Sequence, residues 1–255
     1  MFTKIAIIGT GNVGTWLFKT IQNQSNMSVI SISGRAMERL PSGFDLYIFA
    51  LKDDVYETVL QQIPFKMPYA VHTSGSLSQH ILAPFAEKYG VVYPYQTILR
   101  EAVSGEKNLP VFRSSGLPVS EKVPICVEAF DPAFENALFL WAKSMFNVVY
   151  KITEKQRFAM HLAAVFACNF TNAMYQIAFQ IFTKNNIDWS LILPLLENTL
   201  EKAKHNEPRT VQTGPAVRND ISIMEKHCTA LQNEELKQLY QLVSKIIQQP
   251  LITNL

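Results

Sequence analysis

The hexapeptide Gly9-Thr10-Gly11-Asn12-Val13-Gly14 spaces its glycines as Gly-x-Gly-x-x-Gly, directly behind the apolar run 5–8. Such a loop, set between a strand and a helix, can hold a pyrophosphate. The first glycine makes the tight turn, the second lets the backbone approach the anion and the third lets helix pack on strand, while unpaired amides at the helix start face the negative charge. An ordinary glycine turn is the plainer alternative, but the flanking strand and helix that the pattern requires are both here. About 20 residues further on, a site for NAD carries a carboxylate for the ribose hydroxyls. At that place the sequence reads Ser31-Ile32-Ser33-Gly34-Arg35. A hydroxyl at Ser33 and a guanidinium at Arg35 suit a 2′-phosphate, because arginine offers a charged fork to phosphate oxygens. The pair therefore favours NADP(H) over NAD(H); the alternative for Arg35 is a solvated loop charge.

A second group of polar residues lies in the other half of the chain. Residues 158–182 contain no Asp, Glu, Lys or Arg, a stretch longer than the roughly 20 residues that span a bilayer. It nevertheless holds His161, Asn169, Asn172, Gln176 and Gln180, too much polarity for a lipid-facing span. At 100° per residue His161, Asn169, Asn172 and Gln176 fall within about 80° of one another, a polar stripe on an otherwise apolar helix. Such a stripe can bond neighbouring backbone or a second subunit, or it can face a cleft in which a substrate reacts.

These residues need elements to position them. Strands are expected over 5–9, 29–34, 46–51, 69–73, 91–94, 124–129 and 148–152, alternating with helices over 12–22, 53–63, 78–88 and 132–146. That alternation is the mark of βαβ units and a mainly parallel sheet. Residues 99–122, with four glycines and prolines and no clear period, read as loop or irregular strand. After Thr153 the strand signals stop, and long helices are expected over 154–185, 189–206, 220–231 and 234–248. The fold class is thus α/β: a Rossmann dinucleotide-binding domain over 1–152, then an all-α domain over 153–255.

Composition narrows the partners. In 255 residues, 48% are apolar and 17% charged, which suits a globular chain. Lys plus Arg number 23 against 21 acidic residues, so the net charge of +2 gives no basic field for nucleic acid. Cys126, Cys168 and Cys228 are odd in number and make no metal-ligand spacing, which fits a reducing, cytoplasmic setting. The apolar run 5–8 is too short for a signal-peptide core, so no export signal is expected.

Several motifs occur in a fixed order: the glycine loop, Ser33-Gly34-Arg35, His72-Thr73-Ser74-Gly75-Ser76, Tyr93-Pro94-Tyr95-Gln96-Thr97, the stretch His161-Leu162-Ala163-Ala164-Val165-Phe166-Ala167-Cys168-Asn169-Phe170, and Thr213-Gly214-Pro215-Ala216-Val217-Arg218-Asn219-Asp220. Together they resemble the Rossmann-like candidate NADP oxidoreductases that carry a C-terminal domain of unknown function, over nearly the whole chain. The sequence is more distantly similar to pyrroline-5-carboxylate reductase, F420-dependent NADP reductase and β-hydroxyacid dehydrogenases. In the related dehydrogenases, turns matching Leu51-Lys52 and Thr73-Ser74-Gly75 pass beside the nicotinamide ribose and the substrate. The resemblance implies cofactor contacts at Leu51, Lys52, Thr73 and Gly75, and a reacting site at Ser74 and Asn169, to which the polar stripe adds His161. A small-residue turn capping the next helix is an equally compatible role for 73–75.

Two positions depart from that pattern. β-Hydroxyacid dehydrogenases place a lysine four residues before the asparagine that Asn169 matches, and here that position is Val165. Reduction of a carbonyl builds charge on oxygen and needs an acid, so His161, Tyr93 or Lys52 has to supply it. A protonated imine asks less of the protein. Related sequences often have His where Tyr93 stands, and a phenol of reference pKa near 10 is a poorer acid at neutral pH. Tyr93, Asn172 and Arg218 are candidate substrate contacts; Arg218 could bind a carboxylate or simply pair at the surface.

The expected activity is hydride transfer between NADP(H) and a small carbonyl or imine in an interdomain cleft. The rival is an NADP(H)-binding sensor or assembly protein without turnover. A helix apolar on nearly every face should be buried, yet the 103 residues after 152 are few to enclose it. A homodimer through the C-terminal helices is therefore expected.

Overall fold

The computed structural model describes residues 2–24, 26–98 and 123–249; the segment 99–122 lies outside them. Seven strands form one sheet: β1 (Lys4–Ile8), β2 (Ser28–Ile32), β3 (Leu46–Phe49), β4 (Met67–His72), β5 (Ala86–Pro94), β6 (Ile125–Ala129) and β7 (Val149–Lys151), in the order β2-β1-β3-β4-β5-β6-β7. β1 to β5 are mutually parallel, and β6 turns the sheet antiparallel against β5 before pairing in parallel with β7. Ile5, Ala6, Ile7 and Ile8 are all fully buried, because helices cover both faces of such a sheet and leave no solvent side for alternation. On one face Trp16, Leu17 and Ile21 of α1 (Asn12–Gln22) join Phe134, Leu138 and Trp141 of α3 (Pro132–Lys143). On the other, Tyr56 and Leu60 of α2 (Tyr56–Leu60) pack with Met37 and Leu82. The fold is Rossmann-like, followed by a helical C-terminal region.

One expected helix is absent. Residues 78–88 form a single 3₁₀ turn, Gln79–Leu82, capped by the Ser78 hydroxyl, and then enter β5. Pro84 explains the change: proline lacks the amide an inner helical turn needs and clashes with the preceding turn. Past it, Ala86 pairs with Met67 and Lys88 with Tyr69, so β5 starts five residues earlier than the expected 91.

After β7 a single helix runs from Glu154 to Lys184. Its start, α4 (Glu154–Ala164), carries a full capping box between Thr153 and Gln156. Residues Val165–Phe170 are π-helical, and α5 (Thr171–Lys184) completes the run. Arg157 is the only buried residue of this helix among those described. The chain divides into two compact units, 1–172 and 173–255, at a point inside this helix. The second unit continues with α6 (Leu193–His205), α7 (Ile221–Ala230) and α8 (Glu234–Gln248), and Ala216 is its only buried residue among those described. Asp220 caps α7, its side chain accepting from the Ile223 amide.

Candidate active site

The turns that leave the carboxyl ends of β1 to β5 line one cavity of about 1190 Å³, and its whole wall is drawn from the first unit. At the β1 end, Gly9 has φ of +124°, and a Cβ there would stand 2.1 Å from the Ala50 carbonyl oxygen. A Cβ on Gly14 would stand 2.0 Å from the Gly9 oxygen, so this glycine seats α1 on β1. Gly11 differs, since a Cβ there meets nothing within 4 Å. Gly11 is the N-cap of α1 and has no side chain to cap it, and no acidic residue occupies the first turn. The first amides of a helix have no intrahelical partner. Here they open on the cavity, and the absent side chain leaves room for an anion to reach them. Thr10, Asn12 and Val13 complete this part of the wall.

Where β2 ends, Ser33 and Arg35 line the same cavity. The Arg35 amide donates to Ser33 Oγ at 3.3 Å, and the Arg35 side chain is exposed. Leu51 and Lys52 follow β3, and a Cβ on Gly34 would press on Leu51 Cδ2 at 2.8 Å, so the two turns lie in contact.

The turn after β4 is the most tightly bonded part of the wall. Thr73 donates its amide to Phe49 O at 3.0 Å. Ser74 Oγ accepts from the amides of Ser76 at 3.1 Å and Leu77 at 3.0 Å, which commits its oxygen to the turn itself. Ser76 Oγ donates to Asp53, and Ser78 Oγ donates to Glu154 at the start of α4. From the helix side Arg157, with 0% exposure, donates to Ser74 O at 2.9 Å, to Leu77 O at 2.7 Å and to Glu128 of β6 at 2.9 Å. His72, ending β4, is also fully buried; its Nδ1 accepts from the Ser74 amide at 3.2 Å, and burial pushes its pKa down to about 3.

One helical turn beyond Arg157, the His161 ring lies against Gly75, where a Cβ would be 2.5 Å from His161 Nδ1. The same nitrogen is 3.1 Å from the Tyr93 hydroxyl. Burial pushes the Tyr93 pKa up to about 12, with the neighbouring Tyr95 adding to it. Tyr95 in turn donates to Met160 O at 3.1 Å, so two tyrosines at the end of β5 hold this stretch of α4. Asn169, Cys168 and Val165 of the π segment line the cavity beside them.

The sequence-derived set thus gathers at one place, with three residues outside the wall. Gly14 serves packing, Asn172 is exposed at the end of the first unit, and Arg218 is exposed in the second. The stripe drawn at 3.6 residues per turn does not survive the π segment, whose wider turns shift the phase of all that follows; His161 and Asn169 line the cavity, while Asn172 and Gln176 do not. Sequence reasoning missed Arg157 and Glu128. The available signal was a lone glutamate in the apolar run Ile125-Cys126-Val127-Glu128-Ala129, since an ionised side chain inside a strand covered on both faces demands a partner.

The sheet order, glycine loop and strand-end cavity define a dinucleotide-binding fold of the oxidoreductase type. Residues 123–247 match the family model described as a domain of unknown function (DUF2520). A candidate NADP oxidoreductase from Bacteroides fragilis is similar over 97% of this chain and 98% of its own, with 28% identity and a TM-score of 0.80. A protein from Thermotoga maritima aligns over 96% of both chains at 19% identity and a TM-score of 0.65. The 1-pyrroline-5-carboxylate reductase of Streptococcus pyogenes shares the fold over 96% of both chains at 15% identity and a TM-score of 0.52. No curated protein matches the sequence.

Proposed function

We propose that this protein is an NADP(H)-dependent oxidoreductase that transfers hydride between the nicotinamide and a small carbonyl or imine. The observation that carries the reading is the single cavity that joins an open glycine cradle and Arg35 at one end to His161, Tyr93 and Asn169 at the other. Gly9 to Val13 would hold the pyrophosphate and Ser33 with Arg35 the 2′-phosphate, while Leu51, Lys52, Thr73 and Gly75 would flank the ribose and nicotinamide. NADP(H), when bound, supplies or accepts the hydride. The chain supplies position and a proton. A phenol with a pKa near 12 stays protonated at neutral pH, and in the proposed arrangement it donates to His161 Nδ1, which puts the ring proton on Nε2. Nε2–H would then donate to the reacting oxygen or nitrogen; as that atom takes the proton, Nδ1 takes the proton of Tyr93 and solvent restores the phenol, with Asn169 beside it as a second amide donor. This arrangement takes over the task of the lysine that Val165 replaces.

Val165 in the cavity wall supports a second reading, a sensor that binds NADP(H) without turnover. The two part on a panel of ketoacids, aldehydes and imines: oxidation of NADPH by any of them removes the sensor reading. The cofactor layer is tested first by titration with NADPH and NADH. Arg35→Ala should weaken NADPH binding about tenfold or more and leave NADH unchanged, the loss expected for a charge-assisted phosphate contact. Equal affinity of the native protein for the two nucleotides would remove the 2′-phosphate assignment.

The proposed setting is cytoplasmic and the proposed assembly a homodimer. Helix 154–184 is long and apolar enough to cross a membrane by length and composition. Its first turns, however, are tied to the sheet through Arg157, Met160 and His161, which supports a soluble role for it.

A further inference from the structure

We infer that Arg157, anchored by Glu128, is a positioning residue that locks the turn 74–77 and His161 against each other. The inference rests on the proposed site, in which that turn flanks the nicotinamide and His161 meets the substrate. Arg157 grips the carbonyls at both ends of the turn, Ser74 O and Leu77 O. Four residues on, and so on the same helix face, His161 meets Gly75 within that turn at a distance that excludes even a methyl group. The turn is therefore held at both ends and against Gly75 by one face of α4.

The pair is poorly designed as a stability device. Removing two charges from water costs several kcal/mol per ion, and the attraction repays it only when every remaining polar atom is bonded. Here Arg157 Nε and Glu128 Oε2 are both buried without a hydrogen-bond partner among the described residues. An apolar pair of similar volume would hold the helix to the sheet at less cost. What only a guanidinium can do is reach two carbonyls and a carboxylate at once from a rigid planar fork. That is geometry, and its product is the fixed spacing between Gly75, His161 and Tyr93.

The test uses the full-length protein, with NADPH and adenosine 2′,5′-bisphosphate as probes, the second lacking the nicotinamide half. Arg157→Lys should lower NADPH affinity about tenfold and leave the bisphosphate within twofold of native. In nitrogen-15 spectra of the cofactor-free protein, assigned with His161→Gln, the His161 ring should change from one Nε2–H tautomer to a mixture. The paired substitution Arg157→Met with Glu128→Leu removes both buried charges together and frees only the carbonyls of Ser74 and Leu77, and it should give the same two changes in a protein that still melts cooperatively. A folded variant with native NADPH affinity and a native His161 signal would overturn the inference, as would an equal loss for both probes. Should the native protein bind neither probe, the cofactor reading falls, and the His161 signal alone decides the positioning role.

Discussion

His72 shows how a single side chain can set the acid limit of the molecule. Its ring is enclosed, Nδ1 accepts from the Ser74 amide, and Nε2 has no partner among the described residues. Burial, reinforced by the nearby Arg157 charge, holds the native pKa near 3 against an ordinary value of 6.5. The native state therefore refuses a proton that the unfolded chain accepts once pH falls below 6.5. Stability is full above that value and declines through the window down to about 3, at about 1.4 kcal/mol per unit. Between pH 7.5 and pH 5 the loss from this one residue is about 2 kcal/mol. Urea unfolding at the two pH values measures it, and His72→Asn, whose Oδ1 can take the place of Nδ1, should flatten the difference. An unchanged slope in that variant would assign the acid sensitivity elsewhere. Nothing in the sequence marks His72 as buried or Arg157 as its neighbour. The glycines, by contrast, announce themselves, because a lack of side chain at fixed spacing has few physical uses, whereas a charged residue is uninformative until its partner 29 residues away in the chain is known.

At the scale of elements, the strand–loop–helix unit from β1 to α1 was legible almost to the residue, since the apolar run, the glycines and the helical period agree with one another. Its glycines separate stability from binding. Gly11→Ala places a methyl in open space at a φ of −74° that alanine adopts freely, so stability should stay within about 1 kcal/mol of native. The methyl occupies the approach to the helix amides, and NADPH binding should fall about tenfold or more. Gly14→Ala instead drives a methyl to 2.0 Å from the Gly9 oxygen, which must move α1 off β1 at a cost of roughly 1–3 kcal/mol. Thermal melts with NADPH titrations on both variants test the pair; equal effects on stability would contradict the assigned roles. Two elements were not legible. The 78–88 stretch has apolar spacing that suits a helix, but Pro84 breaks it, and the residues beyond pair with the edge of β4. The π segment has no local signature in Val165-Phe166-Ala167-Cys168-Asn169-Phe170, four of which line the cavity, and π turns of this kind are frequent at functional sites.

The whole molecule raises a question of burial that one chain leaves open. Phe158, Leu162, Phe166, Phe170 and Met174 recur every fourth residue along the long helix, each between 39% and 61% exposed. Such a four-residue row forms a ridge of the kind that packs into the groove of another helix. Leu191, Leu195 and Leu200 in the second unit are exposed as well, at 61% to 70%. Monomeric soluble proteins rarely leave contiguous apolar patches above a few hundred Å² open to water, and a unit with one described buried residue lacks a core of its own. A second copy is the occupant that the sequence expectation favours, because a two-fold interface joins like to like and needs no foreign partner. The protein should therefore run in light scattering at micromolar concentration with twice the 28.9 kDa mass of one chain. Phe166→Asp with Phe170→Asp puts two carboxylates into the ridge. These rings meet edge to face at 5.0 Å and are 61% and 49% exposed, so the Rossmann half should keep its fold. Dissociation to the monomer mass, with a lower melting temperature, is the expected result. A native protein that is monomeric at that concentration would mean that the ridge meets some other apolar surface, and the dimer would have to be given up.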